Sequence, residues 1–158
     1  MMNNKALLLL IGILLCLPLS AQHRFSFHKD GTFKIVQFTD IHWAPQSANC
    51  SITTSTIQSV LKAEQPDMAI LTGDVVTDTP ALQGWKDIIR IFDEARMPFA
   101  VLMGNHDAEC MSKDSIYLLL AESPYFIGDR GPVDIKGYGN SIIPIYDSKQ
   151  QSTIASLL

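Results

Sequence analysis

Three stretches of the chain share one pattern, an apolar run that stops abruptly at polar, metal-competent side chains. Thr32–His42 (TFKIVQFTDIH) ends on Asp40 and His42, Met68–Asp74 (MAILTGD) ends on Asp74, and Phe99–Asp107 (FAVLMGNHD) ends on Gly104, Asn105, His106 and Asp107. Each run reads as a strand with a polar C-terminal tip, and the nearly all-apolar Met68–Thr72 is the composition of a strand covered on both faces. Between them, Ile52, Ile57, Val60 and Leu61 recur at helical spacing over Ser51–Gln65, behind Ser and Thr residues able to cap the helix, and Pro66 ends it. Pro80–Arg96 gives a second helix, with Leu82, Trp85, Ile88, Ile89 and Phe92 on one face and Pro98 beyond it. Alternating strands and helices predict βαβ units and a parallel sheet, whose strand ends line the ligand crevice. Asp40, His42, Asp74, Asn105 and His106 all fall at that edge.

The flanking segments are simpler. Arg24–His28 and Thr32–Thr39 surround Lys29-Asp30-Gly31, an Asp-Gly turn signal that predicts an opening antiparallel hairpin. Lys113–Glu122 reads as a short helix, Gly128–Gly139 as turns, and Ser141–Tyr146 and Ser152–Leu158 as strands, the last without a closing polar signal. No internal repeat or low-complexity tract interrupts this order.

Composition narrows the class. A 158-residue chain, 47% hydrophobic and 18% charged, is one globular domain in size and content. Met1–Ala21 carries Lys5, an apolar run from Ala6 to Leu17 and Leu19-Ser20-Ala21 as a cleavage site, so a signal peptide over 1–21 and an exported protein, periplasmic or extracellular, are expected. The apolar run is short for a membrane anchor and is broken by Pro18, and the residues before Cys16 do not suit a lipoprotein site. Cleavage would take the formal charge from −4 to −5, an acidic balance that argues against nucleic acid as a partner. In an oxidising compartment the two remaining cysteines, Cys50 and Cys110, each following a polar tip, are candidates to pair.

Carboxylate, imidazole and amide donors suit Mn, Fe or Zn, and the absence of a Cys-x-x-Cys pair argues against a structural zinc site. Two such ions sharing a carboxylate could hold a hydroxide and clamp a phosphoryl group for in-line attack, and Asp74, on the middle tip, is the natural bridge. Asp40-x-His42, Gly73-Asp74 and Gly104-Asn105-His106-Asp107 resemble the first three signature blocks of the calcineurin-like metallophosphoesterases. The flanking GTFKIVQFTDIHW, AEQPDMAILTGD and PFAVLMGNHD are most similar to the branch holding plant purple-acid-phosphatase-like and fungal Dcr2-type proteins. The resemblance, over roughly Gly31 to Leu120, implies one half of a four-layer αββα sandwich, spanning 22–158. It also implies a phosphomonoesterase or phosphodiesterase with a dinuclear centre, a bridging hydroxide and a phosphate ester as substrate.

Carried over residue by residue, it makes Asp40 and His42 ligands of one metal, Asp74 the bridge and Asn105 a ligand of the second. His106 would serve the phosphate and its leaving oxygen, with Asp107 orienting the imidazole ring. Two departures accompany it. Thr77 stands where purple acid phosphatases place a tyrosine, so no tyrosinate-to-iron colour is expected. The further histidines of the family, including a Gly-His-x-His pair, are missing: the chain's histidines are His23, His28, His42 and His106, and the first two lie on the opening hairpin without ligand spacing. The sequence therefore resembles the first half of such a domain, as a truncated form of an active enzyme, with part of the sheet lacking its packing partner and apolar surface exposed. The competing reading is a non-catalytic remnant or a module binding a single metal.

Overall fold

The computed structural model describes residues 23–158; the expected signal peptide lies outside them. Strands β1 (Phe25–Ser26), β2 (Ile35–Phe38), β3 (Met68–Thr72), β4 (Phe99–Leu102), β5 (Ile143–Tyr146) and β6 (Thr153–Leu157) alternate with helices α1 (Cys50–Glu64), α2 (Ala81–Ala95) and α3 (Lys113–Leu120). The parallel sheet predicted from the three apolar runs is present in the order β2-β3-β4, with Phe38 opposite Leu71 and Leu71 opposite Val101. β3 is central, which places Asp74 on the middle tip.

Period-two alternation divides this sheet between two cores. Val36, Phe38, Ala69, Leu71, Phe99 and Val101 face the helices, where Ile57 and Leu61 of α1, Trp85, Ile88 and Phe92 of α2, and Ile116 and Leu120 of α3 bury against them. Phe92 stacks on Phe99 with ring centroids 4.9 Å apart. The opposite face, Met68, Ile70 and Ala100, packs on Phe25, Ile145, Ala155 and Leu157 from a second sheet of order β1-β5-β6. The described residues thus form helix, sheet and sheet layers, part of the expected sandwich.

Both helices between the parallel strands stop by the same device. Gln65 and Arg96 adopt left-handed backbone, at φ 45° and 52°, and each is followed within two residues by a proline. At the other end of α1 the cap differs from expectation. The helix starts one residue early, at Cys50, and Asn49 makes no side-chain cap bond; the hydroxyls of Ser51 and Ser55 donate instead to the carbonyls of Ala48 and Ile52.

Four other expectations are corrected. The Asp30-Gly31 turn forms, with Thr32 N–H donating to the Asp30 carboxylate, but no hairpin follows. β1 pairs in parallel with β5, Phe25 opposite Ile145, while β2 joins the other sheet. The face of the sheet expected to lack a packing partner has one, because β5 and β6 fold back as an antiparallel pair over Met68. Exposed apolar surface, as expected, is nevertheless present, most of all at Leu118, Val133, Ile142, Ile154 and Leu158, with Ile35 and Leu102 less so at this face. Ile52 and Leu82, assigned to buried helix faces, are exposed. Finally, Cys50 and Cys110 are free thiols. The Cys50 thiol donates to the Ala44 carbonyl (3.0 Å), whereas Cys110 sits against the Thr77 carbonyl, so each side chain is engaged with a different loop.

Candidate metal centre

Past their last ladder residues β2 and β3 do not separate. Asp40 N–H donates to the Gly73 carbonyl (3.1 Å), His42 N–H to Asp74 (2.9 Å) and Trp43 N–H to Val75 (2.8 Å), so the two tips run on side by side. Asp40, His42 and Asp74 each take left-handed backbone there, at φ 51°, 48° and 52°. Such conformations are uncommon outside glycine, with Asn, Asp and His the side chains that tolerate them, and they persist where surrounding bonds hold them. The outcome is convergence: one donor atom from each of Asp40, His42 and Asp74 lies within 4.8 Å of the others.

The β4 tip closes on this group by backbone contact. A side chain on Gly73 (φ 103°) would place its Cβ 2.7 Å from the Gly104 Cα, and one on Gly104 would run into the Asp74 main chain and carboxylate. Both glycines are required by the close approach. His106 N–H then donates to the Asp74 carboxylate (3.0 Å), and the His106 ring lies 6.0 Å from that of His42. Asn105, between them in sequence, is exposed on the same loop.

Asp107 departs from the role expected of it. It is 1% exposed and does not contact the His106 ring. One carboxylate oxygen accepts from Val75 N–H (2.7 Å) and Val76 N–H (3.2 Å), the other from Asp74 N–H (2.9 Å) and Gly104 N–H (2.7 Å). It ties the β3 and β4 tips together from beneath. The residue that does meet the ring is Glu109, whose carboxylate lies 2.9 Å from His106 Nδ1. The sequence reading missed it; the signal was the spacing His106-x-x-Glu109, which a tight turn brings onto one side.

Charge in the cluster is one-sided. Among the described residues no Lys or Arg comes within ion-pair distance of Asp40, Asp74 or Asp107, and the nearest cationic candidate is His42, 3.8 Å from Asp40. The same field reaches Tyr117, whose phenol burial pushes up to about 12, with Asp129 and Asp107 acting in the same direction. Oxygen and imidazole donors gathered without a counter-charge fit a hard or borderline cation. His23 and His28 lie elsewhere: His23 bonds the Pro124 carbonyl (3.0 Å) and His28 pairs with Asp67 (2.8 Å), the residue before β3. A cavity of about 510 Å³ lined by His23, Phe25 and Phe126 also lies away from the cluster and includes none of its residues.

A sequence profile of the calcineurin-like phosphoesterases matches residues 33–152. The chain belongs to that family. As a calcineurin-like phosphoesterase it is 30% identical to probable inactive purple acid phosphatase 29 of Arabidopsis thaliana, over 87% of this chain and 43% of that protein. It is 25% identical to phosphatase DCR2 of Saccharomyces cerevisiae, over 75% of this chain and 24% of the yeast protein. The chain therefore spans less than half the length of these relatives. Both relatives fall in the branch suggested by the motif blocks. No helix among the described residues is long and apolar enough to cross a membrane.

Proposed function

We propose that this calcineurin-like phosphoesterase is a metal-dependent hydrolase of phosphomonoesters or phosphodiesters, acting outside the cytoplasm. The observation that carries the reading is the meeting of Asp40, His42 and Asp74 at the ends of adjacent parallel strands, with no Lys or Arg among the described residues within ion-pair distance of Asp40 or Asp74. Asp40 and His42 would hold one ion, Asp74 would be shared, and Asn105 would serve a second; manganese, iron and zinc all suit these donors. When bound, such ions supply Lewis-acid polarisation of a phosphoryl oxygen and a nucleophile at neutral pH.

The chain's own groups do the rest. His106 lies beside the cluster, with its backbone fixed by the Asp74 carboxylate, where its ring can donate a hydrogen bond to a phosphate oxygen or a proton to the leaving oxygen. Asp107 holds the peptide groups that carry these side chains. Export rests on the apolar N-terminal segment and its cleavage signal.

A second reading has its own support. Among the described residues the grouped carboxylate and imidazole donors number three, enough for one ion, and the Arabidopsis relative is described as probably inactive. On that reading the chain is a single-metal module or a non-catalytic remnant. Metal analysis of the purified chain with a phosphatase assay separates the two: close to two ions per chain with turnover supports the hydrolase, and one or none without turnover supports the remnant. Asp74→Asn should lower metal occupancy and hydrolysis together; hydrolysis that survives this change rejects the shared-ligand role.

A further inference from the structure

Among the described residues Glu109 makes no side-chain hydrogen bond or ion pair with the proposed metal ligands, yet its carboxylate lies 2.9 Å from His106 Nδ1. The backbone prepares that contact: Glu109 N–H donates to the His106 carbonyl (3.0 Å), closing a turn that brings the two side chains onto one side. The side chains are 42% and 57% exposed, and an ion pair so exposed and screened by solvent contributes little to folding. Stability is therefore a poor account of the pairing. Asp107, the acidic residue next to His106 in sequence, is turned inward and fully engaged by four N–H groups. Among the described residues, Glu109 is the carboxylate in hydrogen-bond contact with the ring.

We propose that Glu109 is the positioning residue of His106, holding the proton of the neutral ring on Nδ1 and leaving Nε2 as the nitrogen that faces a phosphate ester. An imidazole nitrogen hydrogen-bonded to a carboxylate carries the proton, and the tautomer of the ring follows from that bond. When the ring is doubly protonated, Nε2–H gives its proton to the leaving oxygen as the P–O bond breaks, and the other proton stays on Nδ1, hydrogen-bonded to the Glu109 carboxylate. The inference rests on the proposed role of His106, but the tautomer itself does not depend on turnover.

The test uses the full chain labelled with 15N-histidine, the His106 ring signals being assigned by their loss in His106→Ala. At a pH where the ring is neutral, the wild-type signals should report a proton on Nδ1. Glu109→Ala should shift the population toward the Nε2-protonated form, and Glu109→Asp should restore part of the original state. An unchanged tautomer in Glu109→Ala overturns the proposal, whether or not the protein hydrolyses anything. With turnover, Glu109→Ala should slow an alkyl phosphate, whose leaving oxygen needs a proton, by roughly 10- to 100-fold. It should slow p-nitrophenyl phosphate much less, and equal losses on both overturn the positioning role. A wild-type chain with the expected tautomer and no hydrolysis would count against the proposed function and leave the Glu109–His106 pairing standing.

Discussion

Replacing Asp107 by Asn tests whether the centre is built on a buried carboxylate. The wild-type side chain is 1% exposed and accepts four backbone N–H groups at 2.7–3.2 Å, two on each oxygen. Asparagine keeps the shape but exchanges one oxygen for an NH2 donor, so two N–H groups face a donor in place of an acceptor. Each buried polar group left unpaired costs about 1–3 kcal/mol, which puts the substitution at about 2–6 kcal/mol against a typical domain stability of about 5–15 kcal/mol. Urea unfolding followed by circular dichroism should show the midpoint falling with little change in slope. The amides of Val75, Val76 and Gly104 should also lose protection from hydrogen exchange. Asp134→Asn, at an exposed position outside the cluster, is the control and should lie within about 0.5 kcal/mol of wild type. A loss below about 1 kcal/mol for Asp107→Asn would refute the argument, because the four hydrogen bonds could not then be holding the tips.

Gly104→Ala should disturb the centre more than its size suggests, since the new Cβ meets the Asp74 main chain and carboxylate; metal binding as strong as wild type by calorimetry would contradict the packing. Tyr117 should stay neutral through the ordinary phenol range and ionise near pH 12 in a spectrophotometric titration. Its raised folded value means that its contribution to stability is complete below about pH 10 and declines as pH rises from there toward 12. Unfolding midpoints that are flat over that window in wild type but sloped in Tyr117→Phe would reverse this expectation. Two reactive thiols should titrate in the native, unreduced protein from Cys50 and Cys110, and a mass consistent with one intramolecular disulfide would disagree with the structure.

What could be read from the chain alone was whatever is local. A run such as Met68–Thr72 followed by Gly73-Asp74 states both a buried strand and its polar end, and the three runs together defined the parallel sheet and the edge where Asp40, His42 and Asp74 meet. The fate of β1 was not legible. Phe25 and Ser26 pair with Ile145 and Tyr146, more than a hundred residues away, and a good Asp-Gly turn nearby says only that the chain reverses, not which strand it will lie against. The adjacency of Asp107 to His106 suggested a contact that the loop prevents by turning one side chain inward and the other outward. Spacing of three along a turn, which brought Glu109 to the ring, is a weaker sequence signal than adjacency and was the correct one.

The left-handed backbone at Asp40, His42 and Asp74 narrows what the centre can become. Aspartate, asparagine and histidine are the side chains that enter this region with least resistance, and they are also metal-ligating types. At these three positions conformational tolerance and coordination chemistry select from the same short menu. Exchanges within that menu would alter the affinity for, or the identity of, an ion held there while sparing the main chain. A valine or isoleucine would remove the donor and oppose the dihedral angle at once. Designed changes of metal preference therefore have few single-residue paths open to them here, and those paths run through Asp, Asn and His.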